Sequence, residues 1–257
     1  GDHDEQMPPP DVNKKLTSQQ REVLTEWVKQ GAHFQGHWAF VPPRPISPPL
    51  VQSDTWSKNA IDQFVLQRLR QEQLQPSLRA SRETLVRRIT LDLTGLPPTP
   101  DEVESFVASD DDGNVERLVD HLMHSPCYGE RMALPWLEAS RYADTDGYQN
   151  DRYRYQHVWR DWVIQAFNDN MPYDQFVIEQ LAGDMLPDAK LTQQIASGFG
   201  RNHRINSEVG SIQEEWRTEN VVDRVDTFGT VFLGLTFGCA RCHDHKYDPV
   251  TQKEYYQ

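Results

Sequence analysis

The chain has 257 residues, enough for one large domain or two small ones. Its formal net charge of −13 excludes a broad electrostatic grip on nucleic acid or on an anionic membrane. Hydrophobic residues make up 37%, low but sufficient for a core; no apolar run reaches the length of about 18 residues that a membrane span needs, and three cysteines cannot build a disulfide scaffold.

Both termini read as cuts inside a longer polypeptide. The opening "GDHDEQMPPP" is neither a signal peptide nor a domain start, and the closing "TQKEYYQ" begins a new helix. A signal peptide, if there is one, is expected upstream. The first element predicted is the helix "LTSQQREVLTEWVKQGA", with Thr17 as N-cap, Gln20 completing a capping box and Gly31 as the stop. Leu16, Val23, Leu24, Trp27 and Val28 form its apolar stripe, whose partners are expected upstream. Five prolines between Pro42 and Pro49 then mark an extended linker. The boundaries drawn are residues 1–36 for the tail of an upstream domain, 37–52 for the linker and 53–257 for the main domain.

From about Ser53 onwards helix follows helix. Leu85, Val86, Ile89 and Leu93 repeat at helical spacing and stop at Gly95; Thr99 caps the next helix with Pro100 at its first position. Val115, Leu118, Val119, Leu122 and Met123 make another stripe, and Tyr128–Tyr142, Val158–Asn168 and Tyr173–Leu181 follow. Trp136, Trp159 and Trp162 are expected mostly in the core. No run alternates with period two, so the fold class is all-α, an irregular multi-helix domain. Val221, Val225, Phe228, Phe232, Leu235, Cys239 and Cys242 are spaced 4, 3, 4, 3, 4, 3, which predicts one long helix carrying both thiols into an apolar pocket. Gly229, Gly234 and Gly238 on that helix suggest close approach by something large and flat, or close packing on a second helix.

The string Cys239-Ala240-Arg241-Cys242-His243 is C-x-x-C-H, the attachment pattern of c-type haem. Two thiols a turn apart form thioethers to the haem vinyl groups, and the next residue offers its imidazole to the iron. At this composition such a string arises by chance in roughly one chain per thousand of this length. The cofactor expected is haem c with His243 as proximal iron ligand, which places the protein in the periplasm or outside the cell. His203, in a polar loop, is the first candidate for a distal ligand, with Met185, Met171 and His157 as alternatives. His245 is expected at a haem propionate, on backbone or in solvent. A zinc site is the rival reading; it needs Cys127 and a histidine such as His121 or His124 to meet the pair.

The stretch "FLGLTFGCARCHDHKYDPVTQKEYY" resembles the signature of the planctomycete-type cytochrome c proteins. The resemblance extends over "ASRYADTDGYQND", "RDWVIQAFNDNMPYDQFVIEQLAGDMLP", "GFGRNHRINSEVGSIQEEWRTENVVDRVDTFGTVF" and the leading "MPPPDVNKKLTSQQREVLTEWVKQGAHFQGHWAFVPP", nearly the whole chain. It implies a large secreted polypeptide with an N-terminal cytochrome c domain, then a helical module of unknown function with its own C-x-x-C-H, then further modules. It also implies that Met7 is the distal ligand of a first haem whose attachment motif lies upstream. The partners implied are the upstream cytochrome c domain, downstream domains of the same polypeptide and a redox partner protein. Nucleic acid and a membrane span in this segment are not expected.

Two further polar clusters stand out. Asp144, Asp146 and Asp151 surround Gly147 like an incomplete calcium loop; the plainer expectation is a helix-ending turn in which Asp144 and Asp146 pair with Arg141, Arg152 or Arg160. "RNHRINSE" gathers Arg201, Asn202, His203, Arg204, Asn206 and Glu208. Glu219, Asp223, Asp226 and Thr230 share a second face of the last long helix, expected to hold structural ion pairs. The leading functional expectation is an electron-transfer module. The alternatives from other classes are a haem-dependent oxidoreductase acting on a carbohydrate-type substrate, in a pocket built by Asp144, Asp146, His203 and Glu208, and a zinc-stabilised or purely structural binding module.

Overall fold

The computed structural model describes residues 16–34, 36–109, 111 and 113–257. Met7 lies outside the described residues. The chain divides into two compact units, residues 1–78 and 79–257.

In the first unit, α1 (Ser18–Lys29) starts at the predicted capping box: the Gln20 side chain accepts from the Thr17 N–H, and the Thr17 hydroxyl accepts from the Gln20 N–H. Val23, Leu24, Trp27 and Val28 of its stripe are all exposed. Residues 42–50 have no regular structure, as the prolines dictate. α2 (Ala60–Gln71) follows, capped by the Asn59 side chain.

The second unit is helical throughout, and the all-α expectation holds: among the described residues the only β pairing is an isolated antiparallel bridge between Thr145 and Tyr153. α3 (Arg82–Thr94) ends at Gly95 and packs against α4 (Pro100–Ala108), α5 (Asn114–Met123) and α6 (Pro126–Ala139). α4 begins where Thr99 and Glu102 cap each other and Pro100 supplies a pre-set φ. α6 lies along α7 (His157–Asn168), and α8 (Tyr173–Ala182) meets α9 (Leu191–Ala196). The main core is aromatic: Trp159, Trp162, Phe176 and Phe199 are buried with Ala133, Val163, Ala166 and Ala196. Trp162 stacks on Phe176 at 5.5 Å, and the Trp136 indole N–H donates to Gln180 Oε1 at 2.9 Å. Trp136, Trp159 and Trp162 therefore serve the core, as expected, each against at least one other aromatic ring.

The predicted single helix through Cys242 is broken. α10 (Gln213–Phe228) passes into one wide turn over Gly229–Leu233 and stops. Gly234 adopts a left-handed conformation (φ +64), and the N–H groups of Gly234 and Leu235 both turn back onto the Gly229 carbonyl. The chain re-enters as a short 3-10 turn, Gly238–Arg241, and ends in α11 (Gln252–Tyr255). The apolar stripe is genuine as far as Leu235, but beyond it Phe237 and Ala240 are the buried residues. Cys239 and Cys242 are exposed, not carried into an apolar pocket. The large flat group that approaches Gly229 is the Phe237 ring: a β-carbon there would sit 2.6 Å from Phe237 Cδ2.

Gly229→Ala is therefore expected to lower stability by about 1–3 kcal/mol through overpacking. Gly238→Ala, whose added carbon would meet nothing nearer than Asp226 Oδ2 at 3.9 Å, is expected to stay within about 0.5 kcal/mol. Urea unfolding of the two variants checks the order; equal losses would contradict the role given to the Phe237 contact.

Candidate functional site

The C-x-x-C-H turn is anchored on α10. Phe237 and Ala240 pack with Val222 of α10 and Tyr255 of α11, while Val225, Leu235 and Val250 close the cluster. The Tyr255 hydroxyl donates to Asp226 Oδ1 at 3.0 Å. Arg241, inside the motif, forms an ion pair with Glu219 of α10, and its carbonyl accepts from Gln252 Nε2 and the Tyr256 hydroxyl, each at 3.1 Å.

The three motif residues fit covalent haem attachment. Both thiols are free and exposed at the ends of one short turn. His243 is exposed, and its Nδ1 lies 2.8 Å from the Asp244 carbonyl, an acceptor only. Nδ1 therefore carries the proton, and the Nε2 lone pair is left for a metal.

The residues after the motif shape the loop. His245 is neither at the surface nor turned outwards: its side chain is 8% exposed, and Nδ1 accepts from the Tyr247 and Asp248 N–H groups at 3.3 and 2.8 Å. Asp244 Oδ1 accepts from the Gln252 N–H at 2.9 Å. Of the places the sequence left open for His245, the backbone is the one it takes.

The zinc alternative is not assembled. Among the described residues no group of three or more His, Cys, Asp or Glu side chains is gathered for a metal ion, and Cys127 sits in the first turn of α6 beneath its Ser125 cap. The same holds for the calcium-like loop. Asp151 Oδ1 accepts from the Gly147 N–H at 2.7 Å, Asp144 takes the Tyr142 hydroxyl, and Asp146 faces Arg154. The ion pairs expected with Arg141 and Arg160 go elsewhere, Arg141 to Asp223 and Arg160 to Asp161.

Along the same stretch of α10 lies a pocket of about 360 Å³. The C-terminal end of α6 brings Arg141, and the bridged loop that follows brings Asp146 and Arg154. The polar loop before α10 brings Asn202 and Arg204, and α10 itself brings Glu219, Val222, Asp223 and Asp226. Arg154 ties the walls together: its guanidinium donates to the carbonyls of Arg201, Asn202 and His203 at 3.1, 3.3 and 2.9 Å. Val222 and Asp226 contribute to this pocket and also to the packing of the C-x-x-C-H segment, so the two sites share a helix.

Of the four residues proposed from sequence for a pocket, Asp146 lines this one. Asp144 is exposed, and Glu208 belongs to a turn closed by Asn206, whose Oδ1 accepts its N–H at 3.0 Å. His203 is buried just behind the wall. Its Nδ1 donates to the Arg204 carbonyl at 2.8 Å, and its Nε2 accepts from Arg224 Nη2 at 2.9 Å. Both ring nitrogens are engaged, so a distal role requires it to give up Arg224. Of the alternatives, Met171 packs against the main core, Met185 is exposed, and His157 meets the Tyr153 hydroxyl at 3.1 Å. Arg141, Arg154 and Asn202 were not recognisable in the sequence as a set, because each lies in a different segment. The acidic face of α10 was recognised, but only as ion pairs, which it also forms with Arg141, Arg204 and Arg241.

Three buried side-chain atoms in these walls have no hydrogen-bond partner: Arg141 Nε, Asn202 Nδ2 and Asp223 Oδ2. An unsatisfied buried group costs about 1–3 kcal/mol, so they mark the wall as incomplete.

A family model for proteins of unknown function (PSCyt2, DUF1549) matches residues 60–257, the α2 helix and the whole second unit. The chain belongs to the PSCyt2 family. No curated protein and no solved structure matches it. The family match covers the C-x-x-C-H turn and the pocket alike, and leaves residues 1–59 outside. Among the described residues of this PSCyt2 chain, no helix is long and apolar enough to cross a membrane.

His203 is held below the ordinary histidine value of 6.5, first by burial and then by the Arg224 charge, against the hydrogen bond to the Arg204 carbonyl. The unfolded chain then takes up a proton that the folded one refuses. The stability contributed is full above about pH 6.5 and is lost as pH falls from there towards the lower folded value. Unfolding in urea is expected to show this loss as pH falls below about 6.5, and His203→Gln is expected to flatten it. An unchanged slope in the variant would assign the acid sensitivity to other groups.

Proposed function

We propose that this chain is a covalent c-type haem-binding, electron-transfer module of a larger exported multi-domain cytochrome. The observation that carries the reading is the exposed pair of free thiols beside His243, whose Nδ1 proton is held by the Asp244 carbonyl. Bound there, haem supplies reversible one-electron exchange. Cys239 and Cys242 hold it by thioether bonds, and His243 presents Nε2 to the iron. The Asp244 carbonyl fixes the imidazole tautomer and raises its basicity. Arg241, tied to Glu219, and Gln252, bonded to the Arg241 carbonyl, keep the turn seated on α10.

In this reading residues 1–36 are the tail of a cytochrome c domain, and Met7 is the distal ligand of its haem. The protein is periplasmic or secreted, because covalent haem attachment takes place outside the cytoplasm. Its partners are the upstream domain, downstream domains of the same polypeptide and a redox protein. The exposed apolar stripe of α1 supports a missing upstream neighbour. The pocket that shares α10 with the motif favours a second reading, a haem-dependent oxidoreductase whose substrate sits there.

Production of the chain in a periplasm equipped for haem ligation, followed by a pyridine haemochrome spectrum, tests the reading. A covalent c-type spectrum is expected, and it is expected to vanish when Cys239→Ala and Cys242→Ala are combined. A colourless, folded protein from cells that mature a control cytochrome would sink it.

A further inference from the structure

We infer that the pocket between α10, the Thr145–Tyr153 loop and the Asn202–Arg204 loop binds a small uncharged molecule bearing adjacent hydroxyl groups. Its volume, about 360 Å³, falls within the range of small-molecule sites, roughly 300–1,000 Å³.

The chemistry of the ligand follows from what the walls already satisfy among themselves. Three arginines and four carboxylates line the pocket, and the charges meet each other. Arg141 pairs with Asp223 and Arg204 with Glu219, Asp226 accepts from Tyr255, and Arg154, held on backbone carbonyls, lies within electrostatic reach of Asp146. A charged ligand group has to displace one of these partners. An uncharged one does not.

The unsatisfied atoms are of both kinds. The ion pair of Arg141 and Asp223 runs through Nη1 and Oδ1, which leaves Nε as an unused donor and Oδ2 as an unused acceptor. Asn202 is 2% exposed, and its orientation is fixed: Gln156 Nε2 donates at once to the Gly198 carbonyl, at 2.9 Å, and to Asn202 Oδ1, at 2.8 Å. The free end of Asn202 is therefore the Nδ2 donor. A hydroxyl is the neutral group that both donates and accepts, so two neighbouring hydroxyls answer this mixture without disturbing any ion pair. All three atoms are buried within the wall, and the Asn202 amide has to turn towards the cavity before Nδ2 meets such a ligand. Asp146, on the opposite wall, offers a further acceptor.

The inference does not depend on haem, since no wall residue belongs to the C-x-x-C-H motif. The test is calorimetric titration of the full chain with glucose, galactose, mannose, xylose, myo-inositol and sorbitol, beside glutamate, glucuronate and glucosamine as charged comparators. At least one neutral probe is expected to bind with a Kd in the millimolar range or tighter. Asn202→Asp and Asp146→Asn are each expected to weaken that binding at least tenfold with the unfolding midpoint unchanged; should Asn202→Asp not fold, Asp146→Asn decides. Binding of the charged comparators alone, binding that neither variant weakens, or no binding of any probe would overturn the inference; the last would mean that water alone completes the wall. Repeating the titration on the chain carrying Cys239→Ala with Cys242→Ala separates this result from the haem test, because binding is expected to persist there whichever way that test falls.

Discussion

The ring of Phe237 lies against the backbone of Gly229, at a distance no β-carbon tolerates, and the C-terminal segment hangs on that contact. It ends α10, and with the left-handed Gly234 it reverses the chain and lays the next turn back along the helix. Phe237 and Ala240 then take the buried positions, which leaves Cys239 and Cys242 outward. The exposure of the two thiols is thus a consequence of how their neighbours Phe237 and Ala240 pack. A turn held this way presents its reactive groups from a rigid base, which is what a covalently attached cofactor requires.

α10 serves both sites from neighbouring positions. Val222, Val225 and Asp226 seat the C-x-x-C-H turn and α11. Glu219 and Asp223 meet the arginines around the pocket, which Val222 and Asp226 also line. Glu219 serves both, pairing with Arg204 on the pocket side and with Arg241 in the motif. An added negative charge or a displaced arginine on either side is therefore felt by the same carboxylate. These pairs are partly exposed, so their value lies in positioning more than in stability.

Much of this was legible in the sequence. The capping boxes at Thr17 and Thr99, the stop at Gly95 and the core roles of the tryptophans follow from local rules, and the structure keeps all of them. The long C-terminal helix expected from the spacing is broken because periodicity reports which residues are apolar, not whether the backbone between them is continuous. Gly229 and Gly234 mark the place, but nothing local says that Phe237 fills the space beside the first. The motif itself is plain in the sequence, and of the three places open to His245 the backbone is the one it takes, its Nδ1 accepting from two N–H groups. The pocket was half legible. Asp146 is among the candidates, but Asn202, Arg204 and the acidic positions of α10 lie more than fifty residues further on, and only the fold brings them to it.

Arg154 carries a consequence for how the site forms. Its guanidinium grips three successive carbonyls 47 to 49 residues further along the chain, and α10 must then dock on both loops before the walls close. Contacts of such separation are entropically expensive to make early, so the pocket is assembled late, after α6 and α7 have paired. Run in reverse, the same order makes it one of the first features to open under stress. The helical core can persist while the site is lost, so an intact helical signal is a poor guide to whether this molecule is competent.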